Sequence, residues 1–359
     1  MATAIWFAHA RRLKNWRLGE LIRMTGLPPA NATTPSEMER QWHYRPDTPI
    51  KSSPFFSWPP EPVRMVRWVA ARWFNIAENS ILAVLAIACW LWVAPSMEEA
   101  RTFQAGWVAE IWLRNMVLMI VVAGGLHLYF HVWRKQKQDL KFDPRETSSK
   151  SKVFTFNSQL WDNVFWTLAS GVTLWTVYEV LMFWAMANGY APMLLWPENP
   201  IWFVVIVFLT PIWISFHFYW IHRALHWPPL YRFAHSLHHR NTNVGPWSGL
   251  SMHPVETAMF FSSVLIHFIV PASPVHILFH MFHQGLTAST SHTGFEGVLV
   301  GDKNRLHLGN FHHQMHHRYF ECNYGNLEVP WDKVFGSFHD GTDESHAKFK
   351  ERRKRLMGV

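Results

Sequence analysis

Residues 257–295, TAMFFSSVLIHFIVPASPVHILFHMFHQGLTASTSHTGF, run 39 positions without an Asp, Glu, Lys or Arg. A helix needs about 20 apolar residues to cross the hydrocarbon core of a bilayer. This stretch is therefore long enough for two short helices, and Pro271-Ala-Ser-Pro274 supplies the turn between them. Four more uncharged windows lie upstream: residues 79–97, 115–133, 163–197 (interrupted only by Glu179) and 199–221. Each reads as one span. The expected fold is an all-α integral membrane protein with about four long transmembrane helices plus a short helical hairpin, capped by a cytosolic His-rich helical region.

Composition agrees. Of 359 residues, 49% are hydrophobic and 16% aromatic, which excludes a disordered chain, and two lone cysteines, Cys89 and Cys322, exclude a disulfide scaffold. The net charge of +8 would suit nucleic acid, but its placement argues otherwise. Arg64, Arg67 and Arg72 precede the first window, and Arg134, Lys135, Lys137 and Lys141 follow the second. Arg223, Arg232 and Arg240 follow the fourth; Lys303, Arg305 and the run Arg352-Arg-Lys-Arg355 follow the hairpin. The alternate loops carry almost no positive charge. Lys and Arg mark the cytoplasmic side, so a multi-pass topology with both termini cytoplasmic satisfies every loop, and no nucleic-acid partner is needed.

The chain divides into residues 1–72, a cytosolic or interfacial N-terminal region; 73–340, a membrane-embedded domain; and 341–359, a basic tail. Residues 5–24 place Trp6, Phe7, Leu13, Trp16, Leu18, Leu21 and Ile22 among Arg and Lys, a pattern suited to an amphipathic surface helix or to an ordinary solvated one. The N-terminus lacks the pattern of a signal peptide.

Nineteen of the 23 histidines lie at or after His217. Three groups have a helical spacing: His222 and His226; His235, His238 and His239; His313, His316 and His317. Positions i, i+3 and i+4 share a helix face, so each group points imidazoles in one direction, and all three sit at the same membrane boundary. Any one such group is as readily a chance spacing; three together indicate converging metal ligands. Eight imidazoles exceed the four ligands of a tetrahedral zinc and suit two ions. Without cysteine ligands the candidates are Fe, Zn, Cu or Ni, and iron leads beside a lipid-accessible cavity.

His292 in Ser-His-Thr-Gly is a further candidate ligand. His253 is a ligand, a neighbour of one, or a cap, and Glu256 either orients a ligand histidine or caps a helix beginning at Pro254. His283 lies near the cytoplasmic side, whereas packing is the default for His276 and His280. His312 would point about 100° away from His313 on a helix. His127 and His131 suit a headgroup boundary, and Glu179 inside a span is a functional candidate or a hydrogen-bonded helix contact.

The order of these motifs (His222-Arg-Ala-Leu-His226, His235-Ser-Leu-His-His239, Met252-His-Pro-Val-Glu256, Ser291-His-Thr-Gly294, His312-His-Gln-Met-His-His317, Asn323-Tyr-Gly-Asn326, Trp331-Asp-Lys-Val-Phe-Gly336) resembles the fatty acid hydroxylase/sterol desaturase superfamily, closest to sterol C5-desaturase-like members. The resemblance covers about residues 160 to 340. It implies an O2-dependent, non-haem di-iron membrane oxidoreductase that hydroxylates or desaturates a sterol or fatty-acyl lipid. It implies iron ligation by His222, His226, His235, His238, His239, His292, His313, His316 and His317. His253, Glu256, Asn323, Tyr324, Trp331 and Asp332 would be supporting positions, with His283 and His312 as further possible ligands. Residues 241–251 depart from the Pro-Thr-Pro-like segment usual in sterol desaturases, which bears on the substrate. The cofactors expected are two iron ions (Fe2+/Fe3+) and O2 as cosubstrate. No flavin, dinucleotide or haem motif is present, so electrons are expected from a cytoplasmic carrier, ferredoxin- or cytochrome b5-like, with its reductase. Competing readings are a haem-binding membrane cytochrome, a zinc-dependent membrane hydrolase and a non-catalytic metal-binding membrane protein. The zinc reading wants a general-base Glu beside a histidine pair, and none lies between His222 and His226.

Overall fold

The uncharged windows become helices whose ends are set by proline and small polar residues. The computed structural model describes Met38 and residues 41–71, 73–301 and 304–357; the surface helix expected over residues 5–24 lies outside the described residues. The elements are α1 (Pro62–Ala71), α2 (Trp73–Trp92), α3 (Ala105–Val132), α4 (Gln159–Ala187), α5 (Pro200–Leu225), α6 (Pro254–Phe261) and α7 (Pro274–Ser291). A two-stranded antiparallel ribbon, β1 (Gly297–Val300) with β2 (Asn304–His307), then leads to α8 (Phe311–Tyr319) and α9 (Asp343–Met357). At the start of α5, the Asn199 side chain accepts from the Trp202 N–H at 3.0 Å, and Pro200 occupies the first turn, where its missing N–H costs nothing.

α3, α4 and α5 are each long and apolar enough to cross a membrane, and α1 with α2 would make a fourth, bent span. The protein is thus multi-pass. Apolar side chains on these helices face outward, among them Ile81, Val84 and Leu91 on α2, Val117 and Val121 on α3, and Ile201, Phe208 and Ile212 on α5. In water such exposure would be a liability; against acyl chains it is the favourable arrangement.

The hairpin forms about the expected turn. α6 runs on as a 3-10 segment to Phe268, and α7 begins at Pro274. α7, however, is not lipid-facing. Ile277, Leu278, Phe279, Met281 and Phe282 are all buried, and the helix packs against α2, α4 and α5 as the core of the bundle. This burial explains its polar stripe at i, i+4 and i+8. His276 Nε2–H donates to the Phe203 carbonyl at 2.9 Å. His280 meets Ser263 Oγ at 2.8 Å and His267 at 3.2 Å, and Ser263 Oγ–H donates to Gln284 Oε1 at 2.7 Å. His276 and His280 are therefore packing histidines with their ring nitrogens engaged.

Glu179 on α4 is fully buried and ion-paired with Arg114 of α3, while Asn115 Nδ2 donates to its second oxygen at 3.2 Å. Charge inside a membrane domain persists when paired and hydrogen-bonded, and here the pair ties α3 to α4. Removing one partner strands a buried charge. Glu179→Leu or Arg114→Leu alone is expected to destabilise by about 3 kcal/mol, and the Leu/Leu double variant by clearly less, in thermal melts of detergent-purified protein.

Candidate metal centre

Nine histidines converge at the end of the bundle where α5 and α7 finish. They form two sets. His222, His226, His235, His239 and His316 offer one nitrogen each within 4.8 Å of one another; so do His238, His292, His313 and His317. The spacing has a consequence finer than a shared face. Within each triplet the i and i+4 members go to one set and the i+3 member to the other. His235 and His239 join the first set and His238 the second; His313 and His317 join the second and His316 the first. Successive residues on a helix diverge by about 100°, so the adjacent pairs His238/His239 and His316/His317 serve different sets. A π turn over Tyr231–His235, which no sequence signal announces, carries His235 to its place.

Outer partners fix the tautomers. His222 Nδ1–H donates to the Tyr324 carbonyl at 2.6 Å, His316 Nδ1–H to the Cys322 carbonyl at 2.6 Å, and His292 Nδ1–H to the Ala288 carbonyl at 2.7 Å. His238 Nδ1–H points at the Ser251 carbonyl at 3.4 Å, and His235 Nδ1 shares a hydrogen bond with Glu256 Oε1 at 2.7 Å. A carbonyl can only accept, so His222, His238, His292 and His316 carry their proton on Nδ1 and turn a bare Nε2 lone pair inward. Such outer hydrogen bonds are the usual way a protein orients a metal-binding imidazole.

The inward nitrogens crowd. His226 Nε2 lies 3.2 Å from both His316 Nε2 and His235 Nε2, and His316 Nε2 lies 3.0 Å from His239 Nε2. In the second set His292, His313 and His317 form a triangle of Nε2 atoms with edges of 3.0, 3.1 and 3.2 Å. With the lone pairs of His292 and His316 bare, protons cannot satisfy every contact. A cation can: nitrogens about 2.1 Å from a common ion at right angles stand about 3 Å apart. The donor set fits two metal ions. The sets adjoin, with His239 and His317 ring centroids 4.9 Å apart.

Burial also prepares the rings. It pushes the imidazolium pKa of His238 and His292 down to about 4, and those of His226, His235, His239, His313, His316 and His317 well below the ordinary 6.5. All are neutral at pH 7, so no proton must leave before a cation binds. Burial pushes the Glu256 carboxyl up to about 8, and a positively charged set behind His235 would favour its ionised form.

The remaining expected residues fall around this centre. Asp332 is buried and accepts from the Tyr324 and Gly325 N–H groups at 2.8 and 2.7 Å and from Ser337 Oγ at 2.7 Å. It thereby fixes the turn whose Cys322 and Tyr324 carbonyls hold His316 and His222. Asn323 buttresses the same turn by donating to the His312 and His339 carbonyls, each at 3.1 Å. The Tyr324 ring lies 4.9 Å from His226. His312 turns away from both sets towards Asp332, 3.6 Å distant. His253 caps α6 by accepting from the Val255 N–H at 3.2 Å. Trp331 packs on Phe216, and His283 lines the cavity described below.

Sequence reasoning missed one brace. Asn241 Nδ2 donates to the His238 carbonyl at 3.1 Å, while Asn241 Oδ1 accepts from Gln159 at 3.0 Å and Asn163 at 2.9 Å. The atypical stretch 241–251 therefore helps to seat His238. Its Gly249 lies so close to α7 that a Cβ there would stand 2.2 Å from the Ala288 oxygen, the atom that holds His292. Both sets open on a cavity of about 900 Å³ whose apolar wall includes Ile214, Phe218, Ile221, Met252 and Phe260.

Residues 203–337 match the family model described as Fatty acid hydroxylase. The chain is 29% identical over 138 residues to the Delta(7)-sterol 5(6)-desaturase ERG3B of Gibberella zeae, covering 38% of this chain and 42% of that protein. It is 32% identical over 133 residues to the Delta(7)-sterol 5(6)-desaturase of Leptosphaeria maculans, covering 35% of each. It is 22% identical over 258 residues to the putative Delta(7)-sterol-C5(6)-desaturase 2 of Arabidopsis thaliana, covering 68% of this chain and 86% of that one. In the fungal relatives the match spans less than half of their length. No solved structure matches the chain.

The lowered imidazole pKa values carry a stability prediction. The unfolded chain takes up protons on His238 and His292 below about 6.5, whereas the metal-free folded protein does so only near 4. Metal-free protein is expected to lose stability progressively as pH falls from 6.5 to 4, with no such loss above 7, as read from melting temperature against pH.

Proposed function

Because the chain belongs to the fatty acid hydroxylase/sterol desaturase superfamily, we propose that it is a non-haem di-iron membrane oxidoreductase that hydroxylates or desaturates a membrane lipid, with residues 73–340 as its catalytic domain. The observation that carries this reading is the convergence of nine neutral imidazoles in two adjoining sets on one cavity. His222, His226, His235, His239 and His316 would hold one iron, and His238, His292, His313 and His317 the other. Bound iron would supply the reduction of O2 that attack on an unactivated C–H bond requires.

The protein's own contributions follow from its geometry. The Cys322, Tyr324 and Ala288 carbonyls hold the ring protons outward. Glu256 keeps the Nδ1 proton on His235 and places one negative charge beside an otherwise neutral ligand set. Phe218, Met252 and Phe260 align an apolar substrate and exclude water, which limits loss of a strong oxidant. Each turnover takes O2, two electrons and two protons, and returns either an alcohol and one water or an alkene and two waters. The electrons come from a separate carrier, ferredoxin- or cytochrome b5-like, with its reductase. The distribution of Lys and Arg supports a cytoplasmic position for both termini and the histidine end, where such a carrier would dock.

Purified protein is expected to contain two irons per chain and no Soret band; haem would replace this reading with a cytochrome. His238→Ala and His316→Ala should each abolish product formation from cellular lipids and lower bound iron while leaving membrane insertion intact. Full activity in both variants refutes the assignment. Asp332→Asn, which disturbs only the turn behind His222 and His316, is expected to weaken iron binding by about tenfold or more, measured by chelator competition.

A further inference from the structure

The cavity has a polar pole that the metal centre does not use, built on α2, outside the stretch that matches the family. Glu78 and Asn79 line it from α2, and Thr290 and Ser291 from α7. Thr290 Oγ1–H donates to Glu78 Oε1 at 2.9 Å. Asn79 Oδ1 is buried and meets no donor among the described residues. A carboxylate in an apolar helix and a buried amide oxygen without a donor are both unfavourable unless something supplies hydrogen. What Glu78 and the Asn79 oxygen add to this pole is acceptor capacity. Among the described residues, the cations lining the cavity are Lys51, Arg64 and Arg67; all three are exposed, and Arg64 lies 3.1 Å from Glu61.

We propose that Glu78, oriented by Thr290, and Asn79 bind the hydrogen-bond-donating end of the lipid substrate, a hydroxyl group; this rests on reading the histidine centre as the oxidising site. Acceptors at this depth favour alcohols and disfavour free carboxylates. The placement also fixes where oxidation falls. Thr290 precedes His292 by two residues, a backbone reach of at most about 7 Å. The substrate's hydroxyl end is thereby held beside the second histidine set, its tail runs along Ile214, Phe218 and Phe260, and the carbon oxidised lies near the polar end.

The test is direct binding to detergent-purified, metal-free protein. Tritiated hexadecanol and cholesterol serve as probes, each compared with its methyl ether, and hexadecanoate serves as the anion. Wild type is expected to bind each alcohol about tenfold more tightly than its ether, the scale of one hydrogen bond, and hexadecanoate no better than the ethers. Glu78→Leu combined with Asn79→Leu should erase the difference, and Glu78→Gln, which keeps an acceptor, should retain part of it. Iron uptake on reconstitution should be the same in all variants. Equal affinity for alcohol and ether, tighter binding of hexadecanoate, no binding of either alcohol, or an intact preference in the double variant overturns the anchor. Wild type that prefers alcohols but takes up no iron overturns the oxidising-site reading instead, so the two failures are distinct.

Discussion

The structure depends on where nine imidazoles keep their protons. Backbone carbonyls at Ala288, Cys322 and Tyr324 hold three of them on Nδ1. The inward nitrogens are then bare and stand about 3 Å apart, an arrangement that repels itself until a cation is placed within it. Much of the surrounding architecture serves this constraint. Asp332 pins the turn behind two rings, Asn241 ties a third to α4, and Gly249 lets a loop lie against the carbonyl that orients a fourth.

The bundle serves it from further away. The Arg114–Glu179 pair and the His276, His280 and Gln284 stripe spend polar groups inside an apolar domain, but each is matched by a partner, so α3, α4, α5 and α7 are held in fixed relation. α5 and α7 both bring their C-terminal ends, with His222 and His292, to the centre, and their positions are set by that interior packing.

The spans were legible because each is a long run free of charge, and the hairpin turn because two prolines flank it. The buried status of α7 was not legible: a lipid-facing helix and a core helix in a membrane protein are equally apolar, and only the polar stripe at i+4 spacing hints at the difference. The histidines of the centre stood out through their i, i+3, i+4 spacing, but the place of His235 did not, since a π turn at Tyr231–His235 sets it. The carbonyls that fix the tautomers have no side-chain signature at all. Arg114 escaped notice because nothing in sequence pairs it with Glu179, 65 residues away.

Neighbouring residues answering to different sets, His238 with His239 and His316 with His317, mean that the two sets share the same stretches of backbone. Any displacement of either stretch therefore moves a ring of each set at once, so a substitution that shifts one of these backbones is felt in both sets.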